Sequence, residues 1–269
     1  MARELRTASA DGTDVRAHDE GHGPVILVLH AARDDGSSWA RVAARLSHRF
    51  RVVRLHRRQH RVDLEALLPC SIATEVEDVL AVARLTGTPV VLVGHSAGAV
   101  VALEALAEHG AMFSGALLYE PPLRLGPPVG GEALERARTT LAAGKPGRAL
   151  AIFLRDVVRV RPALARLVGA ITAISPGRRA LVSHQLDDCA AVDLLGVRLD
   201  VYAGLDGPTV LLGGDRSPAH FGERMDALAR VMPNAERVVL PGQGHHAHIL
   251  GPDKVAGVIV SVADRARPG

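Results

Sequence analysis

The chain of 269 residues carries 32 Lys and Arg against 29 Asp and Glu, a formal net charge of +3, with 48% hydrophobic and 23% charged residues. That length and balance allow one sizeable core, and so small a positive excess argues against nucleic acid as a partner despite a pI near 9.3. Cys70 and Cys189 are too few for a disulfide framework, no segment reaches the length of a membrane span, and the first residues lack a signal-type apolar run, so a cytoplasmic protein is expected.

Residues 4–7 and 15–18 flank Asp11-Gly12 and read as an opening hairpin. After Gly21 and Pro24, residues 25–29 are apolar on both faces, as in a buried parallel strand. They lead into His30-Ala31-Ala32, where His30 reads as a packed structural histidine. Ser38 is placed to cap a helix over 39–46. Residues 51–55 form the next strand, and the basic run from Arg54 to Arg61 reads as a solvated loop. His56 and His60 stand four apart there without a third ligand, which argues against a metal pair. Helical periodicity spans 73–86, with Glu75, Glu77 and Asp78 early in it to complement the helix dipole, and Gly87 ends it.

A short apolar strand over 90–93 then meets Gly94-His95-Ser96-Ala97-Gly98, and an Ala/Leu/Val-rich helix runs on to 107. Residues 115–119 form another buried strand, ending in Glu120-Pro121-Pro122. From 123 to about 205 helical patterns recur, at 131–143, 147–160, 162–173 and 177–187, without intervening strands. Alternation returns with strands at 208–212 and 235–240 and helices at 219–231 and 253–266. Between the last strand and helix lies Gly244-His245-His246-Ala247-His248. An H-H-x-H cluster without an acid or cysteine ligand argues against a metal site.

The order strand, G-x-S-x-G, helix carries chemistry. A serine at that turn is strained, projects from the sheet and sits at a helix N-terminus, where developing negative charge is favoured. On these residues, and on the histidine after the last strand, the chain resembles the α/β-hydrolase fold family. The likeness is to small bacterial esterases, lactonases and cofactor-free haloperoxidase-like serine hydrolases.

The resemblance implies an α/β fold: a mostly parallel twisted sheet flanked by helices, with core segments 1–122 and 206–269 and a helical cap inserted over 123–205. It further implies an apolar pocket under the cap, a small-molecule substrate and no cofactor. Ser96 is the implied nucleophile, His245 the base, and the backbone N–H groups of Ala32 and Ala97 the oxyanion hole. Ala31 stands where relatives carry glycine, and the loop at 56–61 lacks the two glycines usual there. The usual triad aspartate falls on Ser217, leaving Asp215 one short loop shift away. Glu120 ends a strand at the edge where ligands bind in open α/β sheets, so it is preferred over Asp215 as the triad acid. The expected chemistry is hydrolysis of a small ester, lactone or thioester. A non-hydrolytic ligand binder or cyclase on the same fold is the alternative that the departures allow.

Overall fold

A computed structural model describes residues 2–87 and 89–266, with eight strands in one sheet among them. The strands are β1 (Arg3–Ala8), β2 (Asp14–Gly21), β3 (Val25–Leu29), β4 (Arg51–Leu55), β5 (Val90–His95), β6 (Phe113–Tyr119), β7 (Thr209–Gly214) and β8 (Ala235–Leu240). Their order is β1-β2-β4-β3-β5-β6-β7-β8. Only the β1–β2 and β2–β4 pairings are antiparallel.

Period-two alternation divides the central strands between two cores. Leu27, Leu29, Leu92 and Leu118 face one side, and Ile26, Val28, Val91, Val93 and Leu117 the other. The first face is covered by α2 (Ile72–Thr86), α3 (Ala97–His109) and α9 (Ala219–Val231), the second by α1 (Ala40–Leu46) and α11 (Pro252–Arg265). Because β3, β5, β6 and β7 run parallel, their carboxyl ends and the loops after them share one edge.

Between β6 and β7 lie α4 (Gly131–Ala142), α5 (Pro146–Asp156), α6 (Pro162–Ala173), α7 (Pro176–Leu195) and the single turn α8 (Leu199–Tyr202). They bury small cores of their own, such as Leu134, Phe153 and Leu186. Helix α7 continues beyond the expected 187 because nothing breaks it before Gly196, whose φ is 75°. Helix α5 stops short of 160, and the turn that follows contains Arg159 at φ 61°. No described helix is long and apolar enough to cross a membrane.

Two expectations near the N-terminal half are corrected. Ser38 does not cap α1; a 3-10 turn over Ser37–Trp39 precedes that helix, and the Ser38 hydroxyl donates to Asp34 at 2.5 Å instead. The 54–61 run is not a solvated loop, since Arg54, Arg57, Arg58, Gln59, His60 and Arg61 are all buried. Glu75 and Asp78, three apart on one face of α2, do not serve the dipole but take Arg57 and Arg58 in bidentate pairs. Asp188 of α7 grips Arg57 from the other side, at 2.8 and 3.2 Å. Pairing is what makes burial of these charges tolerable.

Candidate active site

Ser96 follows β5 directly, with φ 54° and ψ −126°, a conformation that L-residues rarely adopt. The flanking glycines explain how the chain holds it. A Cβ on Gly94 would fall 2.5 Å from the Ala99 Cα, and one on Gly98 would fall 2.5 Å from the His30 oxygen and 2.6 Å from that of Leu29. The bare backbone at Gly98 thus lets the start of α3 press against the end of β3. Ala97 and Ala32 therefore open on one cavity, at the end of a helix whose first N–H groups lack intrahelical partners. Ala31 keeps ordinary backbone geometry and the positive φ falls on Arg33, at 59°. The His30 ring, fully buried, accepts the Arg57 N–H at Nε2 and so donates from Nδ1 to the Ala31 carbonyl, 2.6 Å away.

Strand β6 runs beside β5 with Tyr119 opposite His95, and the Ser96 N–H donates to the Tyr119 carbonyl at 2.8 Å. Glu120 is the next residue, also at positive φ (48°) and 1% exposed. Its Oε2 lies 2.6 Å from His245 Nδ1, and its Oε1 accepts the Gly214 N–H at 2.9 Å. Burial pushes the Glu120 carboxyl up, but the His245 contact, then Ser217 and the Gly214 N–H, outweigh it and leave the group below its ordinary value. An ionised Glu120 fixes the proton of His245 on Nδ1 and leaves Nε2 as the free base.

Asp215 takes no part in this contact. It is exposed, and its carboxylate accepts the Gly242 N–H at 2.8 Å. The turn that carries it packs on the loop before His245, where the Arg216 N–H donates to the Gln243 carbonyl at 2.8 Å, whereas Glu120 emerges beside the serine. Ser217, where the usual acid would fall, stands beside Glu120.

Several residues that hold His245 were not read from the sequence. His95 donates from Nε2 to the His245 carbonyl at 2.9 Å. The Tyr119 hydroxyl donates to the Gly244 carbonyl and accepts the Ala247 N–H at 3.0 Å. Phe221 stacks on the His245 ring at 4.6 Å between centroids. The one legible signal was the position of His95 and Tyr119 at strand ends facing the motif. His246 and His248 are held neutral: burial and neighbouring positive charge push them down to about 4 and about 3. His248 Nε2 lies 3.2 Å from the Ser38 hydroxyl, and its ring stacks on Trp39. His56 and His60 lie apart from them in the 54–61 run, with His60 Nε2 3.0 Å from Asp188.

Ser96, His245, Ala32 and Ala97 line a cavity of about 480 Å³ beneath α5, α6 and α7. Much of its wall is apolar, including Val157, Leu164 and Val168, but five histidines, Arg33, Asp34, Arg178 and Gln185 also face it.

A family model described as the alpha/beta hydrolase family matches residues 26–258. A 2-(acetamidomethylene)succinate hydrolase of Mesorhizobium japonicum is 22% identical over 258 residues, covering 93% of this chain and 91% of the relative. An alpha/beta hydrolase of Sphaerobacter thermophilus superposes with a TM-score of 0.82 at 29% identity, over 96% of this chain and 100% of that one. A thermophilic esterase of Thermogutta terrifontis gives 0.73 at 20% identity, over 99% and 100%.

Proposed function

Because the chain belongs to the alpha/beta hydrolase family, we propose that it cleaves a small ester, lactone or thioester through an acyl-enzyme on Ser96. The 2.6 Å contact between Glu120 and His245, opening on the cavity of Ser96, carries this reading. A serine hydroxyl is a weak nucleophile until a base takes its proton. His245 Nε2 accepts that proton as Oγ attacks the carbonyl carbon, then returns it to the departing alcohol or thiol. Glu120 stabilises the imidazolium in between. The Ala32 and Ala97 N–H groups receive the oxyanion, and each such donor lowers the barrier by about 3–4 kcal/mol. Water, activated by the same histidine, then releases the acyl group. The scheme calls on no metal or cofactor, and the helices within 123–205 act as the cap that excludes bulk water from Ser96.

A fluorophosphonate probe tests the scheme. Labelling is expected in the wild type, absent in Ser96→Ala, reduced in His245→Ala and Glu120→Gln, and retained in Asp215→Asn. A folded wild type that takes no label would overturn the hydrolase reading in favour of a binding or cyclase role.

A further inference from the structure

One stripe of α7 reads Arg178, Leu181, Gln185, Asp188 and Val192, spaced three and four apart, and all five line the cavity, with Arg178 also exposed to solvent. Opposite its polar end stands Arg33, directly after Ala32. Arg33 is half-buried at positive φ, with its N–H donated to His60 Nδ1 at 3.3 Å and its Nε to Gln185 Oε1 at 3.3 Å. An arginine kept where a glycine would rest more easily is a local cost of the kind that collects at binding sites.

The charge balance around it is uneven. Both acids that face the cavity are engaged: Asp34 accepts from the Ser38 hydroxyl and the Asp35 N–H, and Asp188 accepts from Arg57 and His60. Neither Arg33 nor Arg178 forms an ion pair among the described residues. Burial, and then the charge of Arg178, push the Arg33 guanidinium below its ordinary value, a repulsion that no protein carboxylate relieves. Two guanidinium forks on the wall of a cavity that is apolar over much of its lining match an anion carried on an apolar body.

We propose that Arg33 and Arg178 form a carboxylate-binding subsite, and that the substrate is an ester bearing a carboxylate away from its scissile bond. The substrate half rests on the hydrolase reading above; the subsite does not. A carboxylate suits the site better than a phosphate because the apolar part of the lining, with Val157, Leu164 and Val168, favours the smaller and less strongly hydrated charge.

Two assays separate the claims. The first compares p-nitrophenyl butyrate with mono-p-nitrophenyl glutarate, and phenyl butyrate with 4-carboxyphenyl butyrate, so that charge is offered on either side of the ester. One charged ester should exceed its neutral partner in kcat/KM, through KM, and that ratio should fall roughly 10-fold or more in Arg33→Gln and Arg178→Gln. Arg33→Lys should restore part of the ratio. A wild type indifferent to the charge, or variants that weaken charged and neutral esters alike, would overturn the subsite. The second assay titrates glutarate and inorganic phosphate into Ser96→Ala by calorimetry. Glutarate should bind, more tightly than phosphate, and binding should be lost when Arg33→Gln and Arg178→Gln are combined with Ser96→Ala. Absent or unaltered glutarate binding, or a preference for phosphate, overturns the carboxylate subsite. If no ester is turned over yet glutarate binds, the hydrolase reading fails and the subsite stands.

Discussion

One guanidinium, that of Arg57, is shared by two buried carboxylates, and they should respond differently to neutralisation. Asp188 accepts from Arg57 Nη1 and Nη2 at 3.2 and 2.8 Å and contacts His60 Nε2 at 3.0 Å. His60 Nδ1 already accepts the Arg33 N–H, so its Nε2 donates, and Asp188 faces three donors. Asn in its place turns an amide N–H toward those donors and leaves Arg57 short of an acceptor. Breaking a buried pair from one side costs about 3–5 kcal/mol, roughly 10 °C in Tm for a chain of this size. Glu75 contrasts with it. Burial first, and the neighbouring Asp188 charge, raise its carboxyl above the ordinary range despite Arg57, while Asp188 is held below it.

A raised folded pKa means that the Glu75 charge opposes folding increasingly as pH rises above the unfolded value of about 4.3. Gln removes that opposition, so Glu75→Gln should cost only about 1 kcal/mol near pH 7, the value of its hydrogen bonds. The contribution of Asp188 has the other sign: it is present above the unfolded value of about 3.9 and is lost as pH falls toward the folded one. Urea denaturation of both variants near neutral pH reads the difference. The reasoning fails if Glu75→Gln costs as much as Asp188→Asn, or if Asp188→Asn stays within about 1 kcal/mol of the wild type.

Gly98→Ala should force α3 from the end of β3. A loss of about 1–3 kcal/mol in stability, with a still larger loss of fluorophosphonate labelling, is expected from melting and labelling of the same sample. Tyr119→Phe removes the hydroxyl between Gly244 and Ala247. About 1 kcal/mol of stability and several-fold in kcat should go with it, whereas an unchanged kcat would show that the loop of His245 is held without it. His30, His60, His95, His246 and His248 all have lowered pKa values, chiefly through burial, His60 to about 4. Their contribution is complete above the unfolded value of about 6.5 and is lost as pH falls below it, each proton taken up costing about 1.4 kcal/mol per pH unit. Denaturation curves at successive pH values should therefore steepen on the acid side of neutrality, and a flat profile there would refute the burial argument.

Patterns within a single segment were legible. The apolar runs at 25–29 and 90–93 announced central strands, and G-H-S-A-G between strand and helix announced the strained serine. Glu120 could be placed because a strand end needs only its own sequence to be recognised. The buried arginines were not legible, because their partners Glu75, Asp78 and Asp188 come from 18 to 131 residues away and a basic run looks the same whether water or carboxylates surround it. The same limit hid Arg33, which looks like a loop residue until α7 brings Arg178 and Gln185 opposite. Ser38 failed for a smaller reason: it stands inside the 3-10 turn that precedes α1, where its N–H and its hydroxyl both donate to Asp34.

The acid contact to His245 comes from the strand beside the serine, and β7 with the turn after it supports that contact from behind, through the Gly214 N–H and Ser217 on Glu120. The same turn braces the loop that leads to His245: the Arg216 N–H donates to the Gln243 carbonyl at 2.8 Å, and Asp215 accepts the Gly242 N–H at 2.8 Å. Asp215 and Arg216 are exposed, but the turn cannot be varied on its own while it holds that loop. For protein engineering, an insertion between Asp215 and Pro218 should thus disturb the loop of His245 even though it alters neither Glu120 nor His245.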